Sequence, residues 1–450
     1  MVDFLIVYEL EQRELENVTL LGAELERRGY SVAFEKFMYL SYSKMRKKYK
    51  NKAKVIVIHS MYNETVIYNL VYAAVGSASK IVNLQWEQVG TIRDENSTTA
   101  FRYPKESAKS VPHICWGPKM QEILVRCGME KERAPVTGPI HMDFLRKEFE
   151  GYYKSKDELF DEFDLPKDKK ILLFLSSFSY TSLTEEQVAV LLRSLNKERF
   201  EAFRKISVDS QKAILEWIEK YLNENPDDIF VYRPHPAEAG NKLLGEYEKR
   251  NPRLYVIGKY SVKQWIKTSD VIFNWFSTSM AEVYFDGKDC YVLRPVEMEQ
   301  ERDVAIMRDC KFITRYEDFL AAANGSTEYI ASAEALKSYY DVTDVPSYYR
   351  CADFLEDVCN TDKYDYNWSS KLKRSFWLRY KKDCVKRIGI GAVHFLRFAV
   401  HNLKKVLKLS YNEHYANFYA EMKAKEASNK KAQKEKLELM RIFVKKYNKE

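Results

Sequence analysis

The sequence predicts an α/β protein: two doubly wound domains facing each other across a cleft, followed by a basic helical tail. Three observations lead there. The chain has 450 residues, more than one ordinary core accommodates. Short β-rich apolar runs alternate with amphipathic helical stretches, and the alternation pauses once in a polar segment before it restarts. Charge is uneven as well: residues 371–450 hold 22 Lys/Arg against 7 Asp/Glu, so a body of net −7 precedes a tail of +15 within a total of +8.

Residues 4–8 open as a strand. Residues 15–28 place Val18, Leu21 and Leu25 at helical spacing on a charged background, and Gly29 ends the helix. Residues 31–37 and 54–59 read as strands, 66–75 as a helix, and 80–86, 112–116 and 134–137 as strands, with a helix over 119–127. This is the first domain, residues 1–150. The polar stretch 148–170, with Gly151 and Pro166, reads as the linker. The second domain, 165–345, follows with strands at 170–177, 228–234, 254–257, 270–275 and 290–293. Helices are expected at 184–223, 238–250, 261–268 and 278–285. Residues 346–450 form the helical basic region, its end (423–450) a solvated charged helix. Sheets of this kind take ligands at the carboxyl ends of their strands.

Hydrophobic residues make up 46% and charged residues 31%, which fits a globular rather than a disordered chain. The seven cysteines are odd in number and scattered, with no C-x-x-C pair, so reduced thiols are expected rather than disulfides or a zinc site. The opening apolar run lacks a basic flank and a cleavage site, and reads as a strand, not a signal peptide. No run approaches the ~18 apolar residues a spanning helix needs. Aromatic content is 14%, with 32 Tyr; this suits sugar faces, although packing accounts for most single rings.

Two segments carry chemistry. Arg233-Pro234-His235-Pro236-Ala237-Glu238 stands where the strand 228–234 runs out. The prolines stop His235 from continuing either neighbouring element, and a guanidinium and an imidazole at a strand's carboxyl end suit phosphate oxygens. The second segment runs from Asp270 to Glu282. There a strand empties into Ser277, Thr278 and Ser279 at the start of a helix, whose free N–H groups and dipole favour an anion. Glu282 lies one turn beyond Thr278 on the same side, placed to hold a ribose diol; ordinary capping by Ser277 is the competing reading. For a base near the attacking hydroxyl, the candidates in order are Glu14, Glu87 and His59, each close to a first-domain strand end. No D-x-D pair, G-x-x-x-x-G-K-[ST] loop or G-x-G-x-x-G occurs, which disfavours an NTPase or a dinucleotide dehydrogenase. No metal ligands and no cofactor are expected; the leaving-group charge would fall to Arg233, His235 and the helix start.

On these motifs the chain resembles GT-B transferases of bacterial surface-carbohydrate and capsule biosynthesis, relatives of CDP-glycerol glycerophosphotransferases and of Kdo and sialic acid transferases. The resemblance rests on R-x-H-P at Arg233 to Pro236 and S-x-S/T-x-x-x-E at Ser277 to Glu282. It also includes Trp116-Gly117, Gly128 and the T-G-x-x-x-x-D segment from Thr137 to Asp143, where Pro139-Ile140-His141 replaces the frequent Asn-Pro. It covers about residues 1–345. It implies two Rossmann-like domains, the second holding the nucleotide's phosphates through Arg233, His235, Ser277, Thr278 and Ser279 and its ribose through Glu282. The implied function is a glycosyl- or polyol-phosphate transferase using a nucleotide-activated donor and a glycan or lipid-linked acceptor. A nucleotide-sugar 2-epimerase of the same fold is the alternative enzyme, and a non-catalytic membrane-associated scaffold the alternative outside catalysis.

In residues 371–410 basic residues alternate with Phe376, Trp377, Leu378, Tyr380, Ile388, Phe395 and Leu403, as an interfacial helix on anionic lipid requires. The expectation is a cytoplasmic protein, peripheral on the inner face of the membrane, with no nucleic-acid partner. Nucleic-acid binding is the competing reading of the charge, and packing of the aliphatic stripe on the body is the structural alternative.

Overall fold

In the computed structural model, which describes residues 1–37, 42–193, 195–238 and 240–448, the alternation becomes two separate parallel sheets. The first contains β1 (Val2–Tyr8), β2 (Val32–Lys36), β3 (Ala53–Ile58) and β4 (Lys80–Asn83) in the order β2-β1-β3-β4. β1 and β3 read as nearly unbroken apolar runs because helices cover both faces. Leu5, Val7, Ile56 and Ile58 share a core with Ile67, Val71 and Ala74. The helix Glu11–Arg27 buries Leu15, Val18, Leu21 and Leu25, and Gly29 at φ +92° turns the chain back toward β2.

Three expectations about this half change. The strand expected over 80–86 stops at Asn83, and Gln85 adopts φ +33°. The segments at 112–116 and 134–137 join the sheet only through single bridges, Asn83 to His113 and Cys115 to Val136. Pro112 and Pro135 have no N–H to extend a ladder.

The second sheet contains β5 (Lys170–Leu175), β6 (Asp228–Arg233), β7 (Leu254–Val256), β8 (Val271–Asn274), β9 (Cys290–Leu293) and β10 (Phe312–Ile313). All pair in parallel, in the order β10-β9-β8-β5-β6-β7. β10, two residues long, gave no sequence signal. The chain builds outward from β5 through β6 and β7, then returns to the other side with β8, so the order reverses between β5 and β8. In register, Leu175 stands beside both Arg233 and Asn274. The carboxyl ends of β6 and β8 therefore lie on one edge of the sheet, two strand spacings or about 10 Å apart.

The helical expectations shift at their boundaries. The region 184–223 is two helices, Glu185–Leu191 and Lys197–Glu224, each capped by its own Thr184 or Asn196 side chain; residue 194 lies outside the described residues. The helix expected from 238 begins at Lys242, capped by Asn241, and residue 239 is outside the described residues. Part of the expected linker is the helix Lys156–Phe163, with Ser155 and Glu158 as a capping box; Leu159 and Phe160 are buried.

The chain packs as two compact units with boundaries the sequence did not reveal. The first comprises residues 1–86, 101–141 and 343–450; the second comprises 87–100 and 142–342. The C-terminal region belongs to the first unit rather than forming an appendage. Arg28 pairs with Asp353 and Glu356, Arg441 pairs with Glu26, and Met440, Phe443 and Val444 are buried. The charged helix Glu413–Asn448 is thus solvated on one side only; residues 449 and 450 lie outside the described residues. Residues 87–100 join the second unit through backbone bonds, Ile92 N–H to Asp303 and Ala305 N–H to Gly90, and through the Arg308–Glu95 pair.

Candidate functional site

β6 delivers Arg233 to the edge of the second sheet. The guanidinium is half-buried and donates to the carbonyls of Tyr260 (2.7 Å) and Lys259 (3.4 Å), and it has no acidic partner among the described residues. Desolvation lowers its pKa to about 10. A half-buried cation without a counter-ion has an unmet demand for negative charge. Arg294, beyond β9 in the same unit, makes the contrast: it is buried against Asp303, with nitrogen–oxygen distances of 2.6 and 3.2 Å. A cavity of about 540 Å³ lies beside Arg294, lined also by Glu297, Gln300 and Thr314.

His235 follows, exposed, on the turn between Pro234 and Pro236. Ala237 N–H donates to its Nδ1 (3.1 Å), which leaves the proton of the neutral ring on Nε2. Desolvation holds the imidazole below the usual histidine value, and Glu87 pulls it upward. That influence is informative, because Glu87 lies in the segment that packs with the second unit. The structure therefore gives Glu87 a position near His235 rather than on the first sheet, where the sequence had put it.

Glu238 is the residue the sequence argument passed over. Its side chain is buried, and Oε2 accepts the backbone N–H of His235 (2.9 Å). Oε1 accepts Ser176 Oγ (2.5 Å), with Tyr232 and Gln211 each at 3.4 Å. A carboxylate beneath the His-Pro turn thus fixes where His235 stands. Burial pushes its pKa up to about 7. A carboxyl raised on folding adds stability that is complete below its unfolded pKa near 4.5 and is lost as pH rises through 7. Glu238→Gln keeps the neutral form, because the Ser176 and Tyr232 hydroxyls can turn to accept from its amide. Unfolding followed by denaturant across pH 4–8 is expected to show a wild-type decline of up to about 3 kcal/mol that the variant lacks. Equal slopes would remove this role from Glu238.

β8 delivers the second element. Asn274, fully buried, folds the following turn: Oδ1 accepts Ser277 N–H (2.7 Å) and Nδ2 donates to the Ser277 carbonyl (2.9 Å). Ser177, just past β5, accepts Phe276 N–H (3.1 Å). The two residues after β5 therefore touch both elements, Ser176 beneath the His-Pro turn and Ser177 beside the serine turn.

The helix begins at Met280, later than expected, and Ser277 is not its N-cap. Ser277 Oγ instead accepts Ser279 N–H (3.2 Å), holding a turn ahead of the helix. Thr278 is exposed, and neither its N–H nor its hydroxyl has a partner among the described residues. Glu282 is half-buried in the short helix Met280–Phe285, where its charge acts on Tyr340 and Cys290.

The base candidates of the first unit separate clearly. Glu14 is wholly buried; its carboxylate accepts Glu9 N–H (2.7 Å) and pairs with Arg13 (2.8 Å), so it holds the turn after β1. That use corrects its place at the head of the ranking. His59, past β3, is nearly buried and lies 3.4 Å from Glu9, past the neighbouring β1; its Nδ1 has no partner among the described residues. The His59 contact lowers the Glu9 pKa.

The two parallel-stranded, Rossmann-like units match the GT-B fold, to which this chain adds a helical C-terminal region. Solved structures agree. The UDP-GlcNAc 2-epimerase of Methanocaldococcus jannaschii, determined with UDP-GlcNAc and UDP, superposes with a TM-score of 0.50 at 15% identity, over 79% of this chain and 99% of that one. The wall teichoic acid polymerase TagF, determined after soaking with CDPG, gives 0.52 at 13% identity, over 79% and 88%. The sequence matches no protein-family model and no curated protein.

Proposed function

We propose that the protein is a transferase that takes a glycosyl or polyol-phosphate group from a nucleotide-activated donor held by its second unit, in the assembly of a bacterial surface polysaccharide. The observation that carries this reading is Arg233, a desolvated cation with no acidic partner among the described residues, at the carboxyl edge of the sheet and on the same edge as the Ser277–Ser279 turn. Strand ends at the point where sheet order reverses are where α/β folds bind nucleotides. Arg233 and the Nε2–H of His235 meet the donor's phosphates, Thr278 and Ser279 add donors beside them, and Glu282 holds the ribose. The ligands of the fold relatives, UDP-GlcNAc and CDPG, belong to this chemical class.

In transfer, an acceptor hydroxyl of a glycan or lipid-linked chain loses its proton to a base and attacks the anomeric carbon or phosphorus of the donor. The bond to the nucleotide's phosphate oxygen breaks, and Arg233 and His235 take up the charge left on it. Glu87, which belongs to the same unit as Arg233 and His235, is the base candidate; Glu14 is not. We further propose that the charge is met without a divalent ion, so that EDTA leaves turnover unchanged.

A thermal-shift series with CMP, CDP, UDP and GDP tests the donor site. One nucleotide is expected to stabilise by about 3 kcal/mol at a hundredfold excess over its Kd, and no shift with any of the four would end the proposal. Incubation with a UDP-sugar and no acceptor then separates the enzyme readings, because only an epimerase interconverts the free donor.

A further inference from the structure

The helix Ser370–Val406 is held by one side only. Phe376 is buried, Asp383 accepts Tyr68 Oη (2.7 Å), His394 stacks on Phe418 with centroids 4.9 Å apart, and Asn402 Nδ2 donates to the Ala416 carbonyl (2.8 Å). At ~100° per residue, Val385, Ile388, Ala392, Leu396, Leu403 and Val406 fall in one stripe on the other side. The large members are bare: Val385 is 71% exposed, Ile388 73%, Leu396 61% and Val406 78%. From Cys384 to Asn412 the sequence has six Lys/Arg and no Asp or Glu. At the same spacing Lys386 and Lys404 fall at the stripe's margin. No described helix is long and apolar enough to cross a membrane.

We propose that this outward face, residues 385–407, lies in the plane of an anionic lipid surface, with its aliphatic side chains in the acyl boundary and its lysines at the headgroups. Charge complementarity selects the occupant. A second copy seated on the stripe would bring two sets of cations together without a carboxylate nearby. A nucleic acid would satisfy the cations and leave Ile388, Leu396 and Val406 in water. Anionic lipid meets both demands. The inference stands apart from the transferase reading, because it rests on a surface of the first unit and predicts binding with no substrate present.

The test is co-sedimentation of the full chain with phosphatidylcholine vesicles, with or without roughly one-third phosphatidylglycerol, at about 0.1 M and 0.5 M NaCl. The wild type is expected to sediment with the anionic vesicles, at least about tenfold more than with neutral ones, and less at high salt. The triple variant Ile388→Asp, Leu396→Asp, Leu403→Asp is expected to lose binding about tenfold or more with an unchanged unfolding midpoint. Lys386→Glu with Lys408→Glu changes only exposed charges and repeats the test should the triple variant misfold. Three results overturn the proposal: no wild-type binding to anionic vesicles, binding that neither variant weakens, or a wild-type dimer that the triple variant converts to monomer.

Discussion

Replacement of His235 by alanine is expected to lower transfer by roughly 10²- to 10⁴-fold, the range in which positioned proton donors act, while the unfolding midpoint stays where it was. The second half of that statement follows from geometry. Glu238 holds the turn through the backbone N–H of residue 235, not through the imidazole, so the alanine variant keeps the anchor. The ring itself is exposed and packs no core. With Nδ1 occupied by Ala237 N–H, only Nε2–H is available to a leaving phosphate, and the neutral ring is favoured by desolvation. Steady-state turnover measured beside circular dichroism of the same samples decides it. Wild-type turnover in a folded His235→Ala protein would remove His235 from the reaction.

The second large effect concerns Arg233 and has two opposite signs. Arg233→Met removes a desolvated charge that no carboxylate among the described residues relieves, so the free protein is expected to hold its stability or gain about 1 kcal/mol. The same change removes the charge-assisted bonds to phosphate, which are worth about 1.5–3 kcal/mol each. Nucleotide affinity should therefore fall about 10- to 100-fold or more, read as the loss of the nucleotide-dependent thermal shift. A structural arginine would behave otherwise: its loss would lower stability and leave binding in place. Arg294 provides that control within the same sheet, because Arg294→Met abandons Asp303 in a buried setting and should destabilise by about 3–5 kcal/mol.

The parts of the molecule that were legible in the sequence are those written in local patterns. Strand and helix periods, Gly29 as a helix stop and the two-proline turn around His235 are all short-range signals, and the fold class follows from them. Three things were not legible, two of them because they depended on distant partners. Glu87 follows a strand of the first sheet in sequence, yet its segment is bonded to Asp303 and Ala305 and lies near His235. Glu14 looks like any carboxylate near a strand end until its bonds to Arg13 and Glu9 appear. Glu238 was quoted as the last letter of a motif, but its anchors Ser176 and Gln211 come from elements tens of residues away. The serine turn could have been read better, because Asn274 three residues before Ser277 is a local side-chain-to-backbone signal.

The return of residues 343–450 to the first unit has a consequence for synthesis and for engineering. Most of the second unit is one continuous stretch, 142–342, and becomes available for folding well before the ribosome releases the end of the chain. The amino-terminal half must wait, with one face of helix Glu11–Arg27 uncovered, until the last helix arrives. A stop codon placed to strip off the lysine-rich end would leave one face of that helix bare, and an insoluble product would reflect that face rather than lipid.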